Sequence, residues 1–166
     1  MNITELYLLE TLKSFKGLKS TAESAISQLS DDEIHFIPSS EANSVAIIIK
    51  HLAGNMISRW TDFLSSDGEK PDRNRDNEFI DDIKNKDEFI KYWNKAWNIL
   101  FATINSLKEE DILKEVFIRG ELHTVLRAMN RQLVHYAYHT GQIVYLAKMI
   151  KNIEWKTLSI PRGKSE

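Results

Sequence analysis

Asp87-Glu88-Phe89-Ile90-Lys91-Tyr92-Trp93-Asn94-Lys95-Ala96-Trp97-Asn98-Ile99-Leu100-Phe101-Ala102-Thr103-Ile104-Asn105-Ser106-Leu107 carries the clearest periodicity in the chain. Phe89, Ile90, Trp93, Ala96, Trp97, Leu100, Ile104 and Leu107 recur every three or four residues, the spacing that lines one face of an α-helix with apolar side chains. Asp87 is a suitable N-cap for it. A stripe with two tryptophans needs partners of similar kind, so the flanking sequence is read for further helices.

Those helices are there in pattern. Ile3 to Leu29 places Leu6, Leu9, Ala22, Ile26 and Leu29 near helical spacing, with Gly17 as a soft spot. Ser30-Asp31-Asp32-Glu33 reads as an exit turn before Pro38. Ser44 caps a second helix whose apolar face collects Val45, Ile48, Leu52 and Met56, ending near Leu64. Thr124 caps a fourth, running through Val125, Met129, Leu133, Ile143, Leu146 and Ile150. Between them, Ser65 to Glu78 is too polar to bury a helical face and reads as a long connection, a kind of segment that often carries function. Glu115 to Thr124 has β-type composition around Gly120 and predicts a short hairpin or an extended loop. The expectation is an all-α single domain over residues 1–166, a four-helix bundle of antiparallel helices joined by long loops.

Composition narrows the function classes. The 166 residues carry 22 Lys plus Arg against 24 Asp plus Glu, with 42% hydrophobic residues, which is a globular composition. The longest apolar run, Val45 to Ile49, is far below the ~20 residues that span a bilayer. No secretion leader is legible at Met1 to Leu6, so a cytoplasmic location is expected. Basic residues are interspersed with acids, which argues against nucleic-acid binding. Zero cysteines exclude disulfides, thiolate nucleophiles and thiolate-held metals, so any metal must be held by His, Asp or Glu.

The five histidines supply the candidates. His135 and His139 are four residues apart, on one face of the fourth helix, with Cβ atoms roughly 6 Å from each other. Two such imidazoles can chelate one divalent ion. His51 sits among Ile47, Ile48, Ile49, Leu52 and Ala53, where an imidazole without a partner is costly. Facing helices of a bundle commonly build such sites, and His51 meeting His135 and His139 would make three neutral nitrogen ligands with an open position. His35 and His123 lie in loop-like stretches and are expected to be solvated or capping.

His51-Leu52-Ala53 with His135-Tyr136-Ala137-Tyr138-His139-Thr140-Gly141-Gln142-Ile143 resembles the DinB/YfiT-like metalloenzyme superfamily. Arg59 to Phe63, the loop Asp67 to Lys70 with Arg73 to Asp76, and the tail Leu158 to Ser165 extend the resemblance over nearly the whole chain. The resemblance implies an up-down-down-up bundle, often dimeric, that holds one divalent ion, zinc or nickel, on His51, His135 and His139. It also implies metal-activated thiolate chemistry, as in S-transferases that use low-molecular-weight thiols such as bacillithiol, with a small-molecule substrate.

One departure stands out. Many relatives carry a carboxylate one turn beyond the helix-two histidine, where this chain has Asn55 and Met56. Asn55 is a candidate to hydrogen-bond substrate, and Gln132, Gln142 and Arg131 continue the His135/His139 face. Arg59 and Arg131 are each read either as an anion binder or as a surface ion pair. Arg73, Arg75 and Arg162 are placed in segments that could cover the bundle end. The four tryptophans are expected in the core or a dimer interface, and Tyr136 and Tyr138 away from the histidine face. The rival to an enzyme is a non-catalytic helical dimer that binds partners and keeps the histidines for structure.

Overall fold

A computed structural model describes residues 2–161 and 163. Among them run four α-helices, α1 (Ile3–Ile26), α2 (Val45–Trp60), α3 (Lys86–Ser106) and α4 (Val125–Lys151), and a two-stranded hairpin, β1 (Glu115–Ile118) and β2 (Glu121–Thr124). The strands pair antiparallel, Val116 opposite His123 and Ile118 opposite Glu121. Of the two alternatives for residues 115–124, the hairpin is the one that forms, a minor addition to a mostly helical fold.

Capping explains where the helices start. Ser44 Oγ accepts from the Ile47 amide at 3.2 Å and Thr124 Oγ1 from the Arg127 amide at 3.2 Å. At α3 the cap is Asn85, whose Oδ1 accepts from the Glu88 amide at 3.0 Å, and not Asp87, which falls inside the first turn. α1 stops at Ile26, three residues before the expected Leu29, and α2 stops at Trp60, where the chain turns through Asp62 in the left-handed region (φ 48°).

The core is one continuous cluster built around Phe15, Trp60, Trp93, Trp97, Leu100 and Tyr136. Phe15 meets Trp60 edge-on at 6.0 Å and Trp97 at 6.5 Å between ring centroids. Trp155 is only partly buried against this cluster.

Helix directions depart from the all-antiparallel expectation. Tyr7, early in α1, donates to Leu126 O and Asn130 Oδ1, early in α4, while Lys151, at the end of α4, pairs with Glu33 beyond α1. α1 and α4 are therefore parallel neighbours. Thr103 Oγ1, late in α3, donates to Trp60 O, the last residue of α2, so α2 and α3 are parallel as well. Trp93 Nε1, early in α3, donates to Glu23 Oε1, late in α1, so α3 runs against α1, and by the two parallel pairings α2 runs against α4, which it meets through Asn55 and Tyr136. The order is up-down-down-up. Parallel α2 and α3 require the chain to return the length of a helix, about 24 Å for α2, and residues 61–85 do so.

That return is anchored at both ends of its path. Gly68 N donates to Phe117 O at 2.8 Å, and Asp67 accepts from the hairpin-turn amides of Arg119 and Gly120 at 2.9 and 2.7 Å. Further on, a single 3-10 turn at Asp76–Phe79 packs on α2. No described helix is long and apolar enough to cross a membrane.

Candidate metal centre

The antiparallel register of α2 and α4 brings His51, His135 and His139 together. One ring nitrogen from each lies within 4.8 Å of the others, and the ring centroids are 4.8 to 5.4 Å apart. His51 Nε2 and His135 Nε2 stand 3.4 Å apart. Two nitrogens on one tetrahedral zinc, with bonds of 2.0–2.1 Å, are separated by about 3.3 Å. The His51–His135 pair already stands at that separation, and the trio could hold a metal ion.

The outward nitrogens of His51 and His139 are accounted for. His51 Nδ1 bonds Glu78 Oε2 at 2.9 Å, which leaves Nε2 turned to the other histidines. His139 Nδ1 bonds Gln142 Oε1 at 2.7 Å, and that contact orients its ring in the same sense. Burial, then the neighbouring His139 and His51, push the pKa of His135 down to about 3. Burial likewise lowers His139, against the hydrogen bond to Gln142. Both are neutral bases at physiological pH, the form in which histidine binds metal.

Glu78 is the residue that the sequence did not announce. It comes from the return segment, is buried, and accepts from Arg73 Nε and Nη2 at 2.7 and 2.8 Å as well as facing His51. Burial raises its pKa, but the hydrogen bonds from His51 and Arg73 outweigh that and hold the carboxyl below its usual range. Gly54 makes room for it, since a Cβ there would fall 2.3 Å from Glu78 Oε1. The next residue, Phe79, stacks on the His51 ring at 4.9 Å, and the Arg75 guanidinium lies over the Phe79 ring at 5.1 Å. The only hint in sequence was a long polar connection.

The other candidates divide. Gln142 touches His139 as described, whereas Arg131 is exposed. Gln132 is buried, one turn before His135 on α4. Asn55 is buried and committed: its Oδ1 accepts from Tyr136 OH at 3.1 Å, and Tyr136 OH in turn accepts from Trp60 Nε1 at 3.0 Å. Tyr136 thus points into the core and Tyr138 to solvent, as helix geometry predicts.

Three expectations need correction. Arg73 is no surface cover but a buried partner of Glu78 and Glu69. Arg59 is also buried, because the return segment folds over it. His123 is neither solvated nor capping; it sits inward on β2 with the alternate strand positions facing out. His35 does remain at the surface side, paired with Asp81 at 2.8 Å. Arg162, Lys164 and Ser165 lie outside the described residues.

Fold and site together define a helical bundle with a possible three-histidine metal site. The family described as Protein of unknown function (DUF1572) matches residues 2–164, and the chain belongs to it. No curated protein matches. Among solved structures, the crystal structure of the conserved protein of locus from Enterococcus faecalis is similar in fold, with a TM-score of 0.67 at 15% identity, covering 90% of this chain and 98% of that one.

Proposed function

We propose that this protein is a metal-dependent enzyme of the DinB/YfiT-like type, a cytoplasmic homodimer that holds one divalent ion, zinc or nickel, on His51, His135 and His139. The observation that carries the reading is the meeting of three imidazole nitrogens within 4.8 Å, drawn from two helices and oriented by Glu78 and Gln142. Bringing three bases together in a partly buried place stabilises nothing in the fold by itself, and a shared cation is what makes such an arrangement favourable. Three protein ligands leave a position open to substrate. When bound there, a divalent ion supplies Lewis acidity, stabilising a thiolate over its thiol at neutral pH.

The chain's own residues set the rest. Glu78 fixes the His51 tautomer by accepting a hydrogen bond from Nδ1–H, so that Nε2 keeps its lone pair. Gln142 does the same for His139. Asn55, occupied by Tyr136, is no proton acceptor for substrate, so the reaction that fits best is one whose nucleophile is activated without a general base: transfer to or from a low-molecular-weight thiol. Hydrolysis of a small substrate is the neighbouring possibility within the same class. Asn55 is also the observation that favours the non-catalytic helical dimer, since no carboxylate stands one turn beyond His51.

Turnover decides between them. Protein loaded with zinc or nickel, given bacillithiol or a related thiol and an electrophilic acceptor, is expected to consume the thiol, and His139→Ala is expected to abolish the reaction. Loaded protein that turns over neither thiol plus electrophile nor small esters and amides would leave the non-catalytic reading standing.

A further inference from the structure

Two turns along α2 from His51 a guanidinium is buried without hydrogen bonds on two of its nitrogens. Arg59 is 2% exposed, its Nε and Nη1 have no partner, and Nη2 stands 3.5 Å from Glu69 Oε2, beyond good hydrogen-bond length. Glu69 is in any case shared, since Arg73 Nη1 reaches both of its oxygens at 3.0 and 3.2 Å and Arg119 Nε reaches Oε2 at 3.3 Å. Gly68 closes one side, where a Cβ would fall 2.6 Å from Arg59 Nη1.

The register of α2 against α4 says what faces the other side. Asn55 meets Tyr136, so Arg59, one turn later, comes level with Gln132, one turn earlier. Gln132 is 2% exposed and its Oε1 has no partner. His123, on β2 just before α4, is 5% exposed with neither ring nitrogen hydrogen-bonded, the Glu121 carboxylate standing 3.7 Å from Nε2. Gly68, which abuts Arg59, donates to Phe117 O, and Phe117 and its neighbour Val116 pair with Leu122 and His123, so the hairpin that carries His123 is tied to the segment covering Arg59. Burial first, then the charges of Arg127, Arg131 and Arg59, lower the pKa of His123. Buried polar groups are ordinarily satisfied. Here three of them, from three elements, lack a partner within the chain.

An oxyanion answers the two donors directly: it accepts from the Arg59 guanidinium and from a His123 N–H. The Gln132 amide joins them only with its NH2 turned to the anion, since its oxygen is itself an acceptor. We propose that Arg59, Gln132 and His123 form an oxyanion-binding subsite that takes the carboxylate or phosphate group of the small substrate whose reacting end lies at His135. The link to substrate rests on the proposed function; binding of the anion does not. Gln132 precedes His135 by three residues, about 5 Å along the helix, so the molecule is one in which an acidic group lies a few bonds from the reacting atom.

The test is calorimetric titration of inorganic phosphate and, separately, malonate into the full chain after chelator treatment. Saturable one-to-one binding of either anion is expected, phosphate alone indicating a phosphate ester and malonate alone a carboxylate. Arg59→Met should weaken it by at least about tenfold, the scale of a charged hydrogen bond, and His51→Ala should leave it unchanged. Should Arg59→Met fail to fold, Gln132→Leu and His123→Phe take its place with the same expected loss, and the bound anion should shift the His123 ring resonances in NMR. No binding of either anion, or undiminished binding in a folded Arg59→Met or in both replacement variants, overturns the subsite. Because the measurement is made without metal, a failure of the metal reading cannot produce either result.

Discussion

Two buried polar groupings lie within three turns of α2, and they are built on opposite terms. Around Tyr136, Trp60 Nε1 donates to the phenol oxygen and the phenol donates to Asn55 Oδ1, a chain closed within the core and surrounded by aromatic rings. Around His51, three imidazoles turn nitrogens toward one another, two of them made less basic by burial, and beyond them Arg59, Gln132 and His123 lack partners. The first grouping is complete as the chain folds, so it serves the fold. The second is complete only with something added, which is the mark of a place kept for a ligand.

The carboxylate that orients His51 offers the strongest way to break the comparison. Arg73→Met leaves Glu78 buried without its cationic partner and is expected to cost about 3–5 kcal/mol in urea unfolding. A loss near zero would mean that Glu78 is solvated. Tyr136→Phe strips the closed network of its centre and should cost about 1–3 kcal/mol while leaving metal affinity untouched; a fall in metal affinity would show that the two groupings are one. Glu78→Gln keeps the shape of the side chain but weakens its hold on the His51 tautomer. A 10- to 100-fold loss of metal affinity is expected from such an outer partner, read by competition with a chromophoric chelator.

The last test is in pH. The unfolded chain protonates His135 near its ordinary 6.5, whereas the folded chain refuses the proton until about pH 3. The unfolded state therefore binds more protons in that window, so the stability of the metal-free protein should be full above pH 6.5 and fall as the pH drops toward 3. His139, shifted the same way, adds to the fall. Equal stability of metal-free protein at pH 7 and pH 5 in chemical denaturation would contradict this assignment.

Much of the fold was legible because it is periodic. The α3 stripe, the Ser44 and Thr124 caps and the i, i+4 spacing of His135 and His139 are local patterns, and each maps onto local geometry. The choice of Asn85 over Asp87 was not, since Asn85-Lys86-Asp87 offers two good caps within three residues. Nor was the parallel pairing of α2 with α3, which depends on a return segment without any period of its own. Glu78 was hidden for the same reason: its contact with His51 exists only because that segment crosses α2 on its way back. Arg59 and His123 looked like surface or loop residues because their cover comes from residues 65–70 and from the hairpin, neither of which signals burial in sequence.

The central claim is that the three imidazoles share a cation, and elemental mass spectrometry on tag-free protein, beside His51→Ala and His139→Ala, tests it most directly. The account predicts about one divalent ion per chain in the parent and none in either variant. No metal in the parent, even after reconstitution with zinc, nickel and manganese, would contradict it.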